Sequence, residues 1–181
     1  MLKRIPVLVL IFLLSHSLQS QDAGSTASFG KPVDNCESTN RTKLIGFAEQ
    51  YLGTPYRSAS IDPKNGFDCS GFVWFVFTEF HIKVPRSSWE YQSLGKALRP
   101  EEFKVGDVLV FYGFRDRTYI GHVGIICEAN GMKSRFIHAS SGKAYGVTIS
   151  ELDSDGYRRR FYKCIDVIEL QKEAGLFFID Q

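Results

Sequence analysis

Gly66-Phe67-Asp68-Cys69-Ser70-Gly71-Phe72 sets a cysteine where a loop gives way to an apolar run that continues to Phe80. Gly66 permits a sharp approach and Asp68 or its neighbour can cap. Phe72, Val73, Phe75, Val76 and Phe80 recur near helical spacing, so the stretch predicts a helix whose first turn holds Cys69. Unpaired amides and the positive end of a helix dipole favour an anion there. A thiol with a free pKa of about 8.5 can fall by one unit or more in such a place, especially beside a protonated histidine. Cys69 is therefore a candidate nucleophile if a histidine can reach it, and otherwise a small buried hydrophobe, the usual fate of a lone cysteine.

Upstream, Leu44, Ile45, Ala48, Tyr51 and Leu52 follow the spacing of one helical face and Gly53 offers a stop, which predicts an amphipathic helix over Thr42 to Leu52. A loop from Thr54 to Gly66 then delivers the chain to Cys69. Downstream, Ser87 and Glu90 have capping-box spacing for a short helix reaching about Lys96. The second half changes character. Asp107 to Tyr112, His122 to Cys127, Arg135 to Ala139, Val147 to Ser150 and Arg160 to Ile168 are short segments, most of them rich in β-branched or aromatic residues and bounded by glycines and polar turns. Helices first and an antiparallel sheet afterwards make the fold α+β, with N-terminal helices packed on a C-terminal antiparallel β-sheet.

The 181 residues are 44% hydrophobic and 14% aromatic, enough for one sizeable core and one domain. Residues 1–20 differ from the rest: Lys3 and Arg4 precede an apolar run from Ile5 to Leu14 and a small, polar stretch from Ser15 to Gln21. This reads as a secretory signal peptide cut after Ser20, with Ser17 the rival position, since the apolar run is shorter than the roughly 20 residues that span a bilayer. The mature chain is expected in the periplasm or outside the cell, as a monomer without stable membrane insertion. Residues 21–40, rich in Ser, Thr, Gly and Asp, read as a flexible leader, 41–170 as the folded domain and 171–181 as a tail. Removing residues 1–20 takes away two cations and no acid, so the formal charge of +2 becomes zero and nucleic-acid binding loses its electrostatic motive. The one basic cluster, Arg158-Arg159-Arg160, falls on an expected strand, where it keeps an exposed edge soluble.

Two histidines sit in the expected sheet. Between them Ala129-Asn130-Gly131 is a plausible three-residue hairpin loop with Gly131 in the left-handed position. Pairing residue 128 with 132 sets His122 directly opposite His138, with Cβ atoms roughly 5 Å apart, whereas a slip of one residue would part them to opposite faces. His16 leaves with the signal peptide, and His81 is better placed to cap the Cys69 helix than to do chemistry. Cys69 as nucleophile, His122 as base and His138 as the orienter of that base follow the logic of a triad. One Cys and two His could also fill three positions of a zinc site, but no short-spaced pair supports a metal, and neither a metal nor another cofactor is expected.

At these residues the chain resembles the NlpC-like cell-wall cysteine peptidases, whose fold is papain-like. Three blocks carry the likeness: Leu52-Gly53-Thr54-Pro55-Tyr56, then Gly66 to Val73, then Gly106-Asp107-Val108-Leu109-Val110-Phe111 with Gly121-His122-Val123-Gly124-Ile125-Ile126 and Phe136-Ile137-His138-Ala139-Ser140. The resemblance implies that Cys69 attacks an amide carbonyl, that His122 takes and returns the proton, and that His138 holds the imidazole of His122. It implies that Tyr56 helps bind oxyanion or substrate and that Asp68 and Ser70 shape the substrate site. A turn-anchoring role for Tyr56 and a capping role for Asp68 are compatible with this. Ser87 is a further candidate to face the cleft. Asp107 resembles the aspartate of a family motif and reads as a structural turn residue.

The substrate implied is peptidoglycan or its muropeptides, cut at γ-D-glutamyl-diamino acid bonds or at the D-amino-acid cross-link. Two other functions use the same residues: a catalytically silent peptidoglycan-binding module, and an acyltransferase that passes the same thioester to an amine or alcohol. Of the remaining cysteines, Cys127 should point away from the site into the core. If a disulfide forms among Cys36, Cys127 and Cys164, Cys127 to Cys164 is the first candidate on strand order.

Overall fold

The structure, a computed structural model, describes residues 33–175. The expected signal peptide, its cleavage position, the leader up to residue 32 and the tail from residue 176 lie outside the described residues. Helix α1 spans Val33–Glu49 and starts nine residues before the Thr42 expected from its apolar stripe, so Val33 to Asn40 are helical rather than a flexible leader. Thr42 Oγ1 donates to the Ser38 carbonyl at 2.9 Å within these turns, and Ser38 to Asn40 stay exposed. A stripe cannot report turns that project beyond the core they would face. The stripe itself buries Leu44, Ile45 and Ala48.

The loop from Thr54 to Gly66 contains a two-stranded hairpin, β1 (Ile61–Asp62) and β2 (Gly66–Phe67), that the sequence pattern did not indicate. Its second strand opens at Gly66, with φ +132°, and Asp68 alone separates that strand from helix α2 (Cys69–Glu79). Asp68 caps α2: its backbone is extended and its carboxylate accepts from the Gly71 amide at 2.6 Å. Such a cap is worth about 1 kcal/mol. Burial of Phe72, Val73, Val76 and Phe77 is worth up to about 2 kcal/mol for each side chain. Packing therefore holds the helix in place and the cap decides where it starts. A 3₁₀ turn, Ser88–Gln92, follows, with the Glu90 carboxylate accepting from the Ser87 amide at 3.0 Å; it stops four residues short of Lys96.

Five antiparallel strands form the main sheet: β3 (Val108–Tyr112), β4 (Ile120–Glu128), β5 (Arg135–Ser140), β6 (Gly146–Glu151) and β7 (Phe161–Ile165), in the order β6-β5-β4-β3-β7. Both faces are covered. Val108, Val110, Val123, Ile125, Ile137 and Ala139 join the residues of α1 and α2 in one core. Leu109, Phe111, Ile126, Phe136 and Cys164 form a second core with Phe103 and Leu152 on the other face. Burial on both faces is why β3 reads as an unbroken apolar run rather than an alternation. Helix α3 (Asp155–Arg158) lies between β6 and β7, and helix α4 (Val167–Glu173) follows β7.

Three expectations change here. The stretch Arg160 to Ile168 is not one strand. Asp166 accepts from the amides of Ile168 and Glu169 at 3.1 and 2.9 Å and starts α4 instead. The arginine run closes α3 and precedes β7, so it is not a strand edge. The candidate disulfide is excluded, because Cys127 packs on the first core and Cys164 in the second, with β3 between their strands. Both thiols are free.

His81 is exposed and takes φ +56° just after α2. Its amide donates to the Thr78 carbonyl at 3.0 Å while the Ile82 amide donates to Phe77 at 3.0 Å, so it ends the helix through its backbone, in a position usually held by glycine. The buried ion cluster of the domain is Arg41, whose guanidinium donates to Asp107 at 2.9 Å and to Asp166 at 2.6 Å. This ties α1 to the start of β3 and to the cap of α4. Asp107 is structural, as its turn position suggested; it also accepts from the Lys104 amide at 2.8 Å.

Candidate active site

The register between β4 and β5 pairs Ile125 with Ile137 and Ile126 with Phe136. Continued by one step, it sets Gly124 opposite His138, so His122 is two residues away from direct pairing. The turn is longer than a three-residue loop: residues 129–134 join the strands, with Gly131 at φ +53° as expected. A shift of two preserves the face. The histidines therefore meet on a diagonal, His122 Nε2 and His138 Nδ1 lying 2.9 Å apart with their rings perpendicular. Gly124 makes room for this, since a Cβ there would fall 2.6 Å from the Phe136 ring and 3.0 Å from His138 Cβ. A β-bulge at Phe111 and Tyr112, opposite Gly121, immediately precedes His122 in the ladder; bulges of this kind re-aim neighbouring side chains.

The second core surrounds both rings. Phe111 lies 5.8 Å from the His122 ring, and Tyr157 and Phe136 lie 5.3 and 4.7 Å from the His138 ring, centroid to centroid. His138 Nε2 is 3.0 Å from Ser150 Oγ and 3.3 Å from the Tyr157 hydroxyl. Burial is the main force on both titrations. It carries His122 well below its ordinary value, with the neighbouring His138 and the Arg160 cation acting in the same direction. It pushes His138 down to about 3, again with Arg160. Both imidazoles are neutral at physiological pH.

Cys69, 8% exposed, reaches the same place from α2. Its Sγ lies 4.0 Å from the Gly121 carbonyl, and the Val123 amide also acts on it, so the thiol rests against the β4 backbone on both sides of His122. No hydrogen bond joins the thiol to the imidazole among the described residues. The expected depression of the thiol is not found: burial, then the Asp68 carboxylate, push it up to about 11. The helix start and the amides of Cys69 and Ser70 oppose this, but a helix dipole is worth only about 0.3–1 kcal/mol at exposed sites, against several pKa units for full burial. In the free protein thiol and imidazole rest as a neutral pair.

Of the remaining candidates, Tyr56 lies beside Cys69 and the other three share a cleft. Tyr56 is half-buried; burial raises its phenol, and the charges of Cys69 and Asp68 add to the effect, which places it beside both. Its amide donates to the Tyr145 carbonyl at 3.0 Å, and its ring lies 5.8 Å from the exposed ring of Tyr145. Asp68, Ser70 and Ser87 line a cleft of about 440 Å³ with Ala59, Arg86, Ser88 and Trp89. Arg86 grips Asp68 with two hydrogen bonds of 3.0 and 2.7 Å and reaches Ser70 Oγ at 3.2 Å. Sequence reasoning missed Arg86, Trp89, Ser150 and Tyr157. Arg86 directly precedes the Ser87 cap, and no local pattern points it eighteen residues back. Among the described residues, no group of three or more His, Cys, Asp or Glu side chains could hold a metal ion, and no helix is long and apolar enough to cross a membrane.

The model of the NlpC/P60 family matches residues 53–166. The chain belongs to the NlpC/P60 family. It is 39% identical over 124 residues to the gamma-DL-glutamyl hydrolase of Bacillus subtilis, a match covering 68% of this chain and 28% of that protein. It is 32% identical over 122 residues to the murein DD-endopeptidase MepS/murein LD-carboxypeptidase of Escherichia coli K12, covering 67% and 60%. Among solved structures, an NlpC/P60 family protein of Bacillus cereus superposes with a TM-score of 0.61 at 26% identity, covering 70% of this chain and 40% of that one. The matched region is thus under two thirds of each relative's length. The α+β architecture of the NlpC/P60 domain is the one expected.

Proposed function

We propose that this chain is an exported cysteine peptidase that hydrolyses amide bonds in peptidoglycan stem peptides, with Cys69 as nucleophile, His122 as general base and His138 as its orienter. The observation that carries this reading is the convergence at one strand. A thiol at a helix start rests on the backbone flanking a buried neutral imidazole, and that imidazole is hydrogen-bonded to a second one. His122 uses Nε2 for His138, which leaves Nδ1 without a hydrogen-bond partner among the described residues. As Sγ attacks the carbonyl, Nδ1 takes the thiol proton; hydrogen bonds that are long in a free enzyme tighten when substrate is bound. The carbonyl oxygen gains the negative charge. The Cys69 amide at the start of α2 and the hydroxyl of Tyr56, which lies beside Cys69, are the donors assigned to stabilise it.

Collapse of this intermediate breaks the C–N bond, and the amine leaves with the proton from His122. Water then attacks the thioester, His122 accepting its proton and returning one to the departing sulfur. The cleft of Asp68, Ser70, Arg86 and Ser87 holds the substrate's polar groups beside the nucleophile. The γ-D-glutamyl-diamino acid bond is the first assignment, since the more similar of the two curated relatives is named a gamma-DL-glutamyl hydrolase. The D,D cross-link is the second, from the endopeptidase relative.

A defined test uses two synthetic substrates, a γ-D-glutamyl-diamino acid peptide and a D,D-cross-linked dimer, with release of amino groups as the signal. Release from the first, abolished in Cys69→Ala, is expected. Cleavage of neither by folded protein would refute the assignment, and cleavage of the dimer alone would move it to the cross-link.

A further inference from the structure

We infer that Ser150 and Tyr157 are positioning residues that act through His138: their hydroxyls hold its ring in the tautomer protonated on Nε2, and this keeps His122 able to accept the thiol proton. The inference rests on the general-base role proposed above and extends it by two residues on separate elements.

To accept a proton at Nδ1, neutral His122 must carry its own hydrogen on Nε2. That hydrogen points at His138 Nδ1, 2.9 Å away, so Nδ1 must present a lone pair. A neutral His138 then carries its hydrogen on Nε2, and that hydrogen needs an acceptor. The two groups within reach are Ser150 Oγ at 3.0 Å, from β6, and the Tyr157 hydroxyl at 3.3 Å, from α3. The opposite tautomer reverses every bond in the chain: His138 would donate from Nδ1, His122 would carry its hydrogen on Nδ1, and the nitrogen assigned to take the thiol proton could accept nothing.

Charge does not decide between the two states. Among the described residues no carboxylate is hydrogen-bonded to either imidazole, unlike a triad whose third member is an aspartate. The charged group that acts on both rings is the Arg160 cation, whose guanidinium lies 5.0 Å from the Tyr157 ring centre. The other neighbours of the pair are the rings of Phe111 and Phe136. With both imidazoles neutral, the placement of one hydrogen per ring is the variable; a hydroxyl can donate or accept, and the general-base role of His122 requires these two to accept. Ser150 is suited by register. It pairs with Phe136, two residues from His138 on the same face of β5, so its hydroxyl meets the ring on a diagonal.

The test is nitrogen-15 NMR of the imidazole rings in the full chain without substrate. Two-bond proton–nitrogen correlations distinguish a protonated from a bare ring nitrogen. For His138 the inference expects a hydrogen on Nε2 and none on Nδ1. Finding the hydrogen on Nδ1 in the unaltered protein overturns it, whatever the activity. Ser150→Val combined with Tyr157→Phe should leave His138 in mixed or reversed tautomers, while Ser150→Thr, which restores the hydroxyl at the shape of valine, should keep the pattern. In turnover, Ser150→Val should lower kcat about fivefold to tenfold with KM little changed, the scale of one lost hydrogen bond to a positioned ring. Ser150→Thr should recover it. Equal kcat for Val and Thr at position 150 would reduce Ser150 to a packing residue and overturn its part. An inactive protein whose NMR pattern is as expected would instead count against the hydrolase assignment alone.

Discussion

Burying two neutral histidines makes the fold acid-labile in a defined window. His138 and His122 both titrate well below 6.5 in the folded protein, mainly because burial penalises the charged ring. In the unfolded chain they titrate near 6.5. Below that pH the unfolded chain binds more protons at these two rings, so their contribution to stability is level above pH 6.5 and is lost as the pH falls through it. At pH 5.5 the loss is one pKa unit per ring. At about 1.4 kcal/mol per unit the pair costs about 3 kcal/mol, a large part of a total that is typically 5–15 kcal/mol. Urea unfolding at pH 7.5 and pH 5.5 measures this, with His122→Gln/His138→Gln as the control that removes both titrations. The wild type should lose about 3 kcal/mol more than the double variant across this interval. Equal losses in the two proteins would refute the buried, neutral pair.

The other predictions concern reactivity and packing. Because the thiol is pushed up to about 11, alkylation of the free protein by iodoacetamide should rise about tenfold per pH unit from 7 to 10; a plateau between pH 5 and 8 would mean a resting thiolate–imidazolium pair. Arg41→Met leaves Asp107 and Asp166 buried without their shared cation, and should cost about 3–5 kcal/mol of unfolding free energy, with a loss below about 1 kcal/mol contradicting the clamp. Gly124→Ala drives a methyl group into Phe136 and His138, so it should cost about 1–3 kcal/mol and lower turnover through His138; normal turnover would show that the rings can shift freely.

The parts of the site that depend on chain-local rules were legible in sequence. The Asp68 cap, the start of α2 at Cys69 and the shared face of His122 and His138 all follow from periodicity and parity. Parity is robust: the true register is two residues away from the expected one, yet the two rings still meet. What stayed hidden depended on distance or on context. Arg86 and Asp68 are far apart in sequence, and Ser150 and Tyr157 reach His138 from two further elements. Val167 and Ile168 look like a continuation of the strand until the Asp166 carboxylate takes up the amides of a new helix. The thiol's pKa could not be read from its helix position, because burial outweighs the dipole and burial is a property of the whole fold.

The central claim is that Cys69 is the nucleophile of a peptidoglycan peptidase. The most direct measurement is mass spectrometry of muropeptides after peptidoglycan sacculi are incubated with the purified protein and, separately, with Cys69→Ala. New fragments are expected from the first and none from the second, with masses that place the cut in the stem peptide. If neither preparation changes the wall while both co-sediment with it, the protein is a binding module and Cys69 is no nucleophile.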